Sequence, residues 1–284
     1  MGCIVKLVHT LLFMLRENRL ADDMAMARAC LKSLEESTHP TVVVYNQGGW
    51  TTPQLKEFLT DFHLDAHVIG EGVNVGTAAG RQSCFEYIWK MFPECKYISE
   101  LHLDMIFPVR WEDALTDYLD GHDEPMVCAG IIDHNGNMPF VGKHVALPDN
   151  TQAYASFLMN LREDKVLHGF TNPCIHASAI LKAAGGYDPQ FLKGGQCFED
   201  DSMLLGYYYY YGTRHNWYPK VNVNTVVYHG VAGQRLGMNG DIGVNFEGLV
   251  KQYGLMGLNH LSALHKSQWH QTFFKAQFLK LLSR

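Results

Sequence analysis

The chain has 284 residues and a net charge of −6, which argues against a general nucleic-acid binder, because that class carries a basic face. Hydrophobic residues at 47% and charged residues at 18% describe an ordinary globular chain with ample core-forming material. At roughly 150 residues per domain the length suggests about two domains, but an α/β fold of this size is often one.

Seven cysteines (Cys3, Cys30, Cys84, Cys95, Cys128, Cys174 and Cys197) are odd in number and form no CxxC pair. That favours a reducing compartment and buried thiols over a disulfide framework or a zinc finger. The apolar run Leu11–Leu15 is far shorter than the about 20 residues a bilayer span needs, and no signal-peptide pattern surrounds it. The chain therefore reads as cytoplasmic.

Ile4–His9 is the first predicted strand, and Leu11–Arg16 after it is read as a loop or a short helical turn. Met24, Ala27, Leu31 and Leu34 recur at helical spacing and predict a helix over Ala21–Glu36, broken by His39-Pro40. Thr41–Tyr45 (TVVVY) is a strand buried on both faces, and Asn46-Gln47-Gly48-Gly49 forms the loop beyond it. Thr51 or Thr52 caps the next helix, with Pro53 in its first turn, and it runs to about Phe62. Ala66–Ile69 is a third strand; Gly70, Gly72, Asn74 and Gly76 then lead into a helix over Thr77–Met91.

A fourth strand, Lys96–Leu101, opens the stretch YISELHLDMIFP. Glu100, His102 and Asp104 stand at alternate positions, which puts all three on one face of an extended chain. Open α/β sheets bind ligands beyond the carboxyl ends of their strands, so imidazole and carboxylate there suit a cation. The strand-helix alternation over residues 1–105 implies a mostly parallel sheet with crossover helices. Trp111–Tyr118 is a short helix and Pro125–Ile132 another strand. Asp133–Asn150 reads as loop or irregular β, and Tyr154–Leu167 as weakly helical. Helices are expected over Ala177–Ala184, Met203–Tyr211, Phe246–Tyr253 and Phe273–Leu282, with a strand over Asn222–Tyr228. The final helix is amphipathic and basic, which suits contact with an anionic membrane surface or a homodimer partner.

Four pieces of this chain, in this order, resemble the inverting family-2 glycosyltransferases of the GT-A fold. Asn74-Val-Gly76 before a helix with Arg81 is similar to the family's N-x-G. His102-Leu-Asp104 stands where the DxD motif would be. Gly185-Gly-Tyr-Asp188 followed by Glu199-Asp200-Asp201 resembles the acceptor-side signature. Val226-Val-Tyr-His229 resembles a late strand ending in a metal- or phosphate-contacting histidine. Three features depart from the pattern: His102 in place of Asp, Asn46 and Gln47 in place of an acidic base-binding loop, and HTLLFMLREN in place of a Pro-Thr-Tyr-Asn run.

The resemblance implies a single Rossmann-like GT-A domain over residues 1–232, with C-terminal helices. Residues 1–132 would be the nucleotide-sugar half, 133–232 the acceptor-side half, and 233–284 a lid loop around Gly233-Gln-Arg235 plus a helical extension. It implies sugar transfer from a nucleotide-sugar donor, UDP- or GDP-linked, to a hydroxyl of a glycan, lipid-linked or polypeptide acceptor. Asp200, supported by Glu199, would be the base, and adjacent carboxylates suit that work because like charges raise one pKa. Asp104, His102 and His229 would hold a divalent cation, Mn2+ or Mg2+, with the imidazoles favouring Mn2+. Asn46, Asn74, Gly76, Arg81 and His102 would face the donor; Arg81 either grips a diphosphate or lies on a solvated helix face. Two other readings keep the fold: a degenerate, non-catalytic module that binds a glycan or a partner, and a sugar nucleotidyltransferase. The second is disfavoured because Val8–Arg16 lacks the glycines of a phosphate loop.

Overall fold

A computed structural model describes residues 5–36, 40–212, 216–230 and 242–283. In its first half the elements are β1 (Leu7–Met14), α1 (Leu20–Glu35), β2 (Thr41–Gly48), α2 (Thr52–Leu59), β3 (Asp65–Ile69), α3 (Thr77–Met91), β4 (Tyr97–Leu101), β5 (Met105–Ile106), α4 (Asp113–Gly121) and β6 (Met126–Asp133). The second half holds β7 (Asn137–Met138), β8 (Lys143–His144), α5 (Tyr154–Met159), β9 (Val166–His168), β10 (Cys174–Ala177), α6 (Ser178–Ala184), α7 (Glu199–Tyr211), β11 (Lys220–His229), α8 (Ile242–Leu264) and α9 (Gln268–Leu282).

Among the described residues the main sheet has the order β3-β2-β1-β4-β10-β6-β11-β5, with β9 paired to β11. β3, β2, β1 and β4 are parallel neighbours, as are β6 and β11. β10 runs antiparallel between β4 and β6, so those two point the same way; β5 and β9 run antiparallel to β11. The expected parallel sheet is thus present, with three strands reversed within it.

Side-chain alternation explains why helices cover both faces. Val42 and Val44 face one core layer with Leu11 and Phe13, under the apolar stripes of α1, α2 and α4. Val43, Val8 and Ile98 face the other, with residues of α3, α6, α7, α8 and α9. Leu11 and Phe13 also correct the expected loop or turn over Leu11–Arg16. Paired by β2 as far as Met14, and by β4 as far as Leu11, that stretch continues β1 to Met14, and the two residues are fully buried. Arg16 closes the strand end onto α1, donating from its backbone N–H and guanidinium to the buried Asp23 carboxylate at 2.6–3.0 Å.

Local signals place α2 well: the Thr51 hydroxyl accepts from the Gln54 N–H, and the Gln54 side-chain Oε1 accepts from the Thr51 N–H, a reciprocal capping box. The stretch Tyr154–Leu167 is a shorter helix than its composition suggests, because Val166 and Leu167 leave it to pair with β11. The C-terminal helices share the sheet's core: Leu249, Leu258, Leu261 and Leu264 of α8 and Phe274 of α9 are buried in it. α9 is not cleanly amphipathic, since Trp269, Leu279 and Leu282 face outward. Among the described residues no helix is long and apolar enough to cross a membrane. Gly233, Gln234 and Arg235, expected in a lid, lie outside the described residues.

Candidate active site

A cavity of about 320 Å3 opens where β1, β4, β6 and β11 end together. Leu12 and Met14 come from β1, Glu100 and Leu101 from β4, Ile131 from β6 and His229 from β11; Thr77 and Arg81 come from the start of α3. Gln196, Glu199 and Asp200 also line it, as do Phe170, Thr171 and Asn172. This is the crevice outside the carboxyl ends of the strands, where an open α/β sheet binds its ligands.

His102 and Asp104 do not continue a strand face. β4 ends at Leu101, residues 102–104 turn, and the chain returns as β5 against β11. The pairing of Met105 with His229 puts Asp104 beside the end of β11, where the Gly230 N–H donates to the Asp104 carbonyl at 2.7 Å. His102 Nδ1 then lies 3.4 Å from His229 Nε2, which lies 3.5 Å from Asp104 Oδ1. These donor atoms all fall within 4.8 Å of one another. An ion bonded at about 2.0–2.6 Å to each spans such a set, so two imidazoles and one carboxylate fit a divalent cation. Burial, then His229 and Arg81, push the His102 pKa down, which leaves a neutral ring with a lone pair to offer. Burial alone would raise Asp104, but the neighbouring imidazoles outweigh it and hold the carboxylate below its usual range.

Glu100 sits one layer deeper as the hub of a buried network. Its carboxylate accepts from His176 Nε2 at 2.9 Å and from the Tyr187 hydroxyl at 2.9 Å, and faces Arg81 Nε at 3.2 Å. His176 Nδ1 bonds the Tyr207 hydroxyl at 2.7 Å. Cys174 Sγ lies 3.2 Å from His176, but burial pushes that thiol's pKa well up. Glu100, Cys174 and His176 are close enough to share an ion, but the Glu100 carboxylate and both His176 nitrogens already bond side chains, and the three read as a hydrogen-bond network.

Arg81 corrects the reading that places it on a solvated helix face. It is 1% exposed, and its guanidinium donates to the Thr10 carbonyl at 2.7 Å, the Thr10 hydroxyl at 2.8 Å and the Leu101 carbonyl. It ties the ends of β1 and β4 to Glu100 while also lining the cavity. Asn46 is displaced from it. Successive residues of a strand point to opposite faces, and Asn46 turns away from the cavity to bond the Trp50 carbonyl, Thr52 and the Gly48 N–H. Gln47 faces the cavity instead: its amide donates to the Gly76 carbonyl and accepts from the Val75 N–H, each at 2.9 Å. The Asn74 side-chain Oδ1 accepts from the Gly76 N–H at 2.9 Å, and Asn74 lines the cavity. Gly76 has φ +84, and a Cβ there would stand 2.7 Å from the Gly194 carbonyl oxygen, so only glycine suits this crossing.

Glu199 and Asp200 occupy the first turn of α7 and both line the cavity; Glu199 is buried and Asp200 half-buried. Asp201 faces away and accepts from His265 at 2.7 Å. Asn172 and Gln196 are cavity residues that no motif singled out, and Gln47 and Tyr187 are cavity residues named in a motif or loop but given no role. For Tyr187 the signal was present, since it is the aromatic residue of Gly185-Gly-Tyr-Asp188.

The sheet order and the helices on both of its faces give a GT-A-like α/β fold. No family model matches the chain, and no curated protein matches it in sequence. Solved structures do resemble it. Staphylococcus aureus TarS is 16% identical with a TM-score of 0.56, covering 97% of this chain and 43% of that one. TarS 1–349 in complex with UDP-GlcNAc is 15% identical with a TM-score of 0.57, covering 97% of this chain and 72% of that one. TarS 1–349 has also been solved in complex with UDP, at 15% identity and a TM-score of 0.55. This chain therefore spans less than half of the full TarS chain.

Proposed function

We propose that this protein is a glycosyltransferase that moves a sugar from a UDP-sugar to an acceptor hydroxyl with inversion at the anomeric carbon. One observation carries the reading: a single cavity gathers a three-donor cation set and an acidic helix start, in a fold shared with a protein solved with UDP-GlcNAc. His102, Asp104 and His229 would hold the divalent cation, with Mn2+ preferred over Mg2+ because two of the three donors are imidazole nitrogens. Bound there, such a cation would supply Lewis-acid neutralisation of the departing diphosphate.

The chain's own residues do the remaining work. Asp200 takes the proton of the acceptor hydroxyl, and a single base-assisted displacement inverts the sugar. The start of α7 stabilises the carboxylate that does this. Leu12, Met14, Leu103, Ile131 and Phe170 give the cavity apolar walls that keep water from competing as acceptor. Arg81 and Glu100 hold the ends of β1 and β4 so that the residues beyond them keep their places.

The test is a thermal-shift panel of UDP-, GDP-, dTDP- and CMP-sugars, each with Mn2+, Mg2+ or EDTA. A UDP-sugar with Mn2+ should raise the melting temperature, since ligand at about 100 times its Kd adds roughly 2.7 kcal/mol. Asp104→Ala should remove the metal-dependent part of that shift. Asp200→Asn should keep the donor shift and lose transfer. Silence across the whole panel would leave the non-catalytic binding module as the better account.

A further inference from the structure

Two residues immediately before Glu199 and Asp200 adopt a left-handed backbone although neither is glycine: Cys197 at φ +79 and Phe198 at φ +63. A non-glycine residue holds that conformation only where its surroundings over-determine it. Here the surroundings are the C-terminal helices. Asn245 of α8 is 1% exposed and addresses the whole bend with one amide. Its Oδ1 accepts from the Gly194 N–H at 2.6 Å, and its Nδ2 donates to the Cys197 carbonyl at 2.9 Å, with the Gln196 carbonyl at 3.4 Å. The Phe198 ring packs among Phe246, Phe273 and Phe274 at centroid distances of 5.3, 6.2 and 6.3 Å. From the other side, the Gly195 carbonyl accepts from the Thr77 N–H at 2.9 Å and the Thr77 hydroxyl at 3.2 Å. The segment is thus gripped between α3, on the donor side, and α8. Gly195, Gln196, Glu199 and Asp200 all line the cavity.

We propose that Asn245 is a positioning residue for the transfer: its amide clamps residues 194–197 in the bent path that aims Asp200 at the acceptor. This rests on the reading of Asp200 as base. The C-terminal helices then complete the active site from behind, through a residue that touches no substrate. An amide is needed because the clamp both accepts and donates, so aspartate keeps the Gly194 bond and loses the Cys197 bond.

The experiment combines hydrogen exchange with steady-state kinetics on wild type, Asn245→Ala, Asn245→Asp and the double variant Asn245→Ala/Cys197→Gly. In Asn245→Ala, amide exchange over residues 194–198 should quicken while β4 stays protected. With a hydrogen bond lost from the bend, kcat should fall about tenfold and the KM for the UDP-sugar should move less than about twofold. Asn245→Asp should fall between, and it serves if the alanine variant folds poorly. Glycine takes φ +79 without strain, so Cys197→Gly should restore much of kcat to Asn245→Ala, which a merely structural role for Asn245 would not allow. Unchanged exchange, unchanged kcat, or no rescue by glycine each overturns the proposal. If Asp200→Asn retains transfer, the reading of the base fails and this proposal with it. If Asp200→Asn is inactive and Asn245→Ala is fully active, this proposal alone fails.

Discussion

Replacing Arg81 by methionine separates a residue that builds the site from one that binds the donor. The side chains of Arg81 and Glu100 are 1% and 5% exposed, so the charge pair lies out of water. Methionine fills much of the same volume but removes the donors to the Thr10 carbonyl, the Thr10 hydroxyl and the Leu101 carbonyl, and the cation beside Glu100. Breaking one partner of a buried pair costs about 3–5 kcal/mol, because the other charge stays behind. His176 and Tyr187 still bond Glu100, which places the expected loss near the lower end, about 3 kcal/mol. At roughly 2–4 °C per kcal/mol for a large domain, the melting temperature should drop by about 6–12 °C. Adding Glu100→Gln to Arg81→Met should recover part of the loss, since the stranded charge goes. Urea and thermal unfolding of the single and double variants measure this, with UDP-sugar affinity followed at low temperature. A variant that melts within about 2 °C of wild type yet no longer binds the donor would refute the reasoning and return Arg81 to the diphosphate.

Gly76→Ala should destabilise by more than about 1 kcal/mol, from the left-handed φ and the contact at 2.7 Å with the Gly194 carbonyl. As a control, Gly121→Ala, which meets nothing within 4 Å, should be neutral or slightly stabilising in the same urea titration. Asp23→Asn should cost about 3 kcal/mol at neutral pH by breaking the buried pair with Arg16. Its pH dependence has a definite sign. Burial would raise the Asp23 carboxyl, but the bonds and charge of Arg16 outweigh that and hold it below its usual 3.8. The stabilisation is therefore complete above that pH and is lost as pH falls through the lower folded value. The stability of Asp23→Asn should accordingly change less than that of wild type over the acid limb, and an equally steep limb would show that Asp23 is not held by Arg16.

Much of the layout was legible in residue order alone. Period-two and helical patterns set the alternation of β1 to β4 with α1 to α3, because each element must bury an apolar face whatever its neighbours are. The Thr51–Gln54 cap and the glycine at 76 are equally local, since a helix start or a left-handed turn constrains its own residues. The spaced motifs also led to the residues of the cavity, His102, Asp104, Glu199, Asp200 and His229, because residue types at strand and helix ends can be read one segment at a time.

What residue order did not settle depends on partners distant in the chain. Leu11–Met14 is a strand because β2 pairs with it to Met14, while β4 flanks it only at Leu11, and no local propensity declares that pairing. His102 and Asp104 meet His229, 127 positions away from His102, only because β5 turns back against β11. The fates of Asn46 and Gln47 hinge on which way one residue points at the end of β2, and a shift of one exchanges the two faces. Arg81 looked like a surface arginine because its sequence neighbours do not show the carbonyls of β1 and β4 that surround it. Composition and local pattern chose the elements and the chemistry they carry; tertiary contact alone decided which of those groups face the cavity, because burial and hydrogen-bond partners are properties of the packed chain.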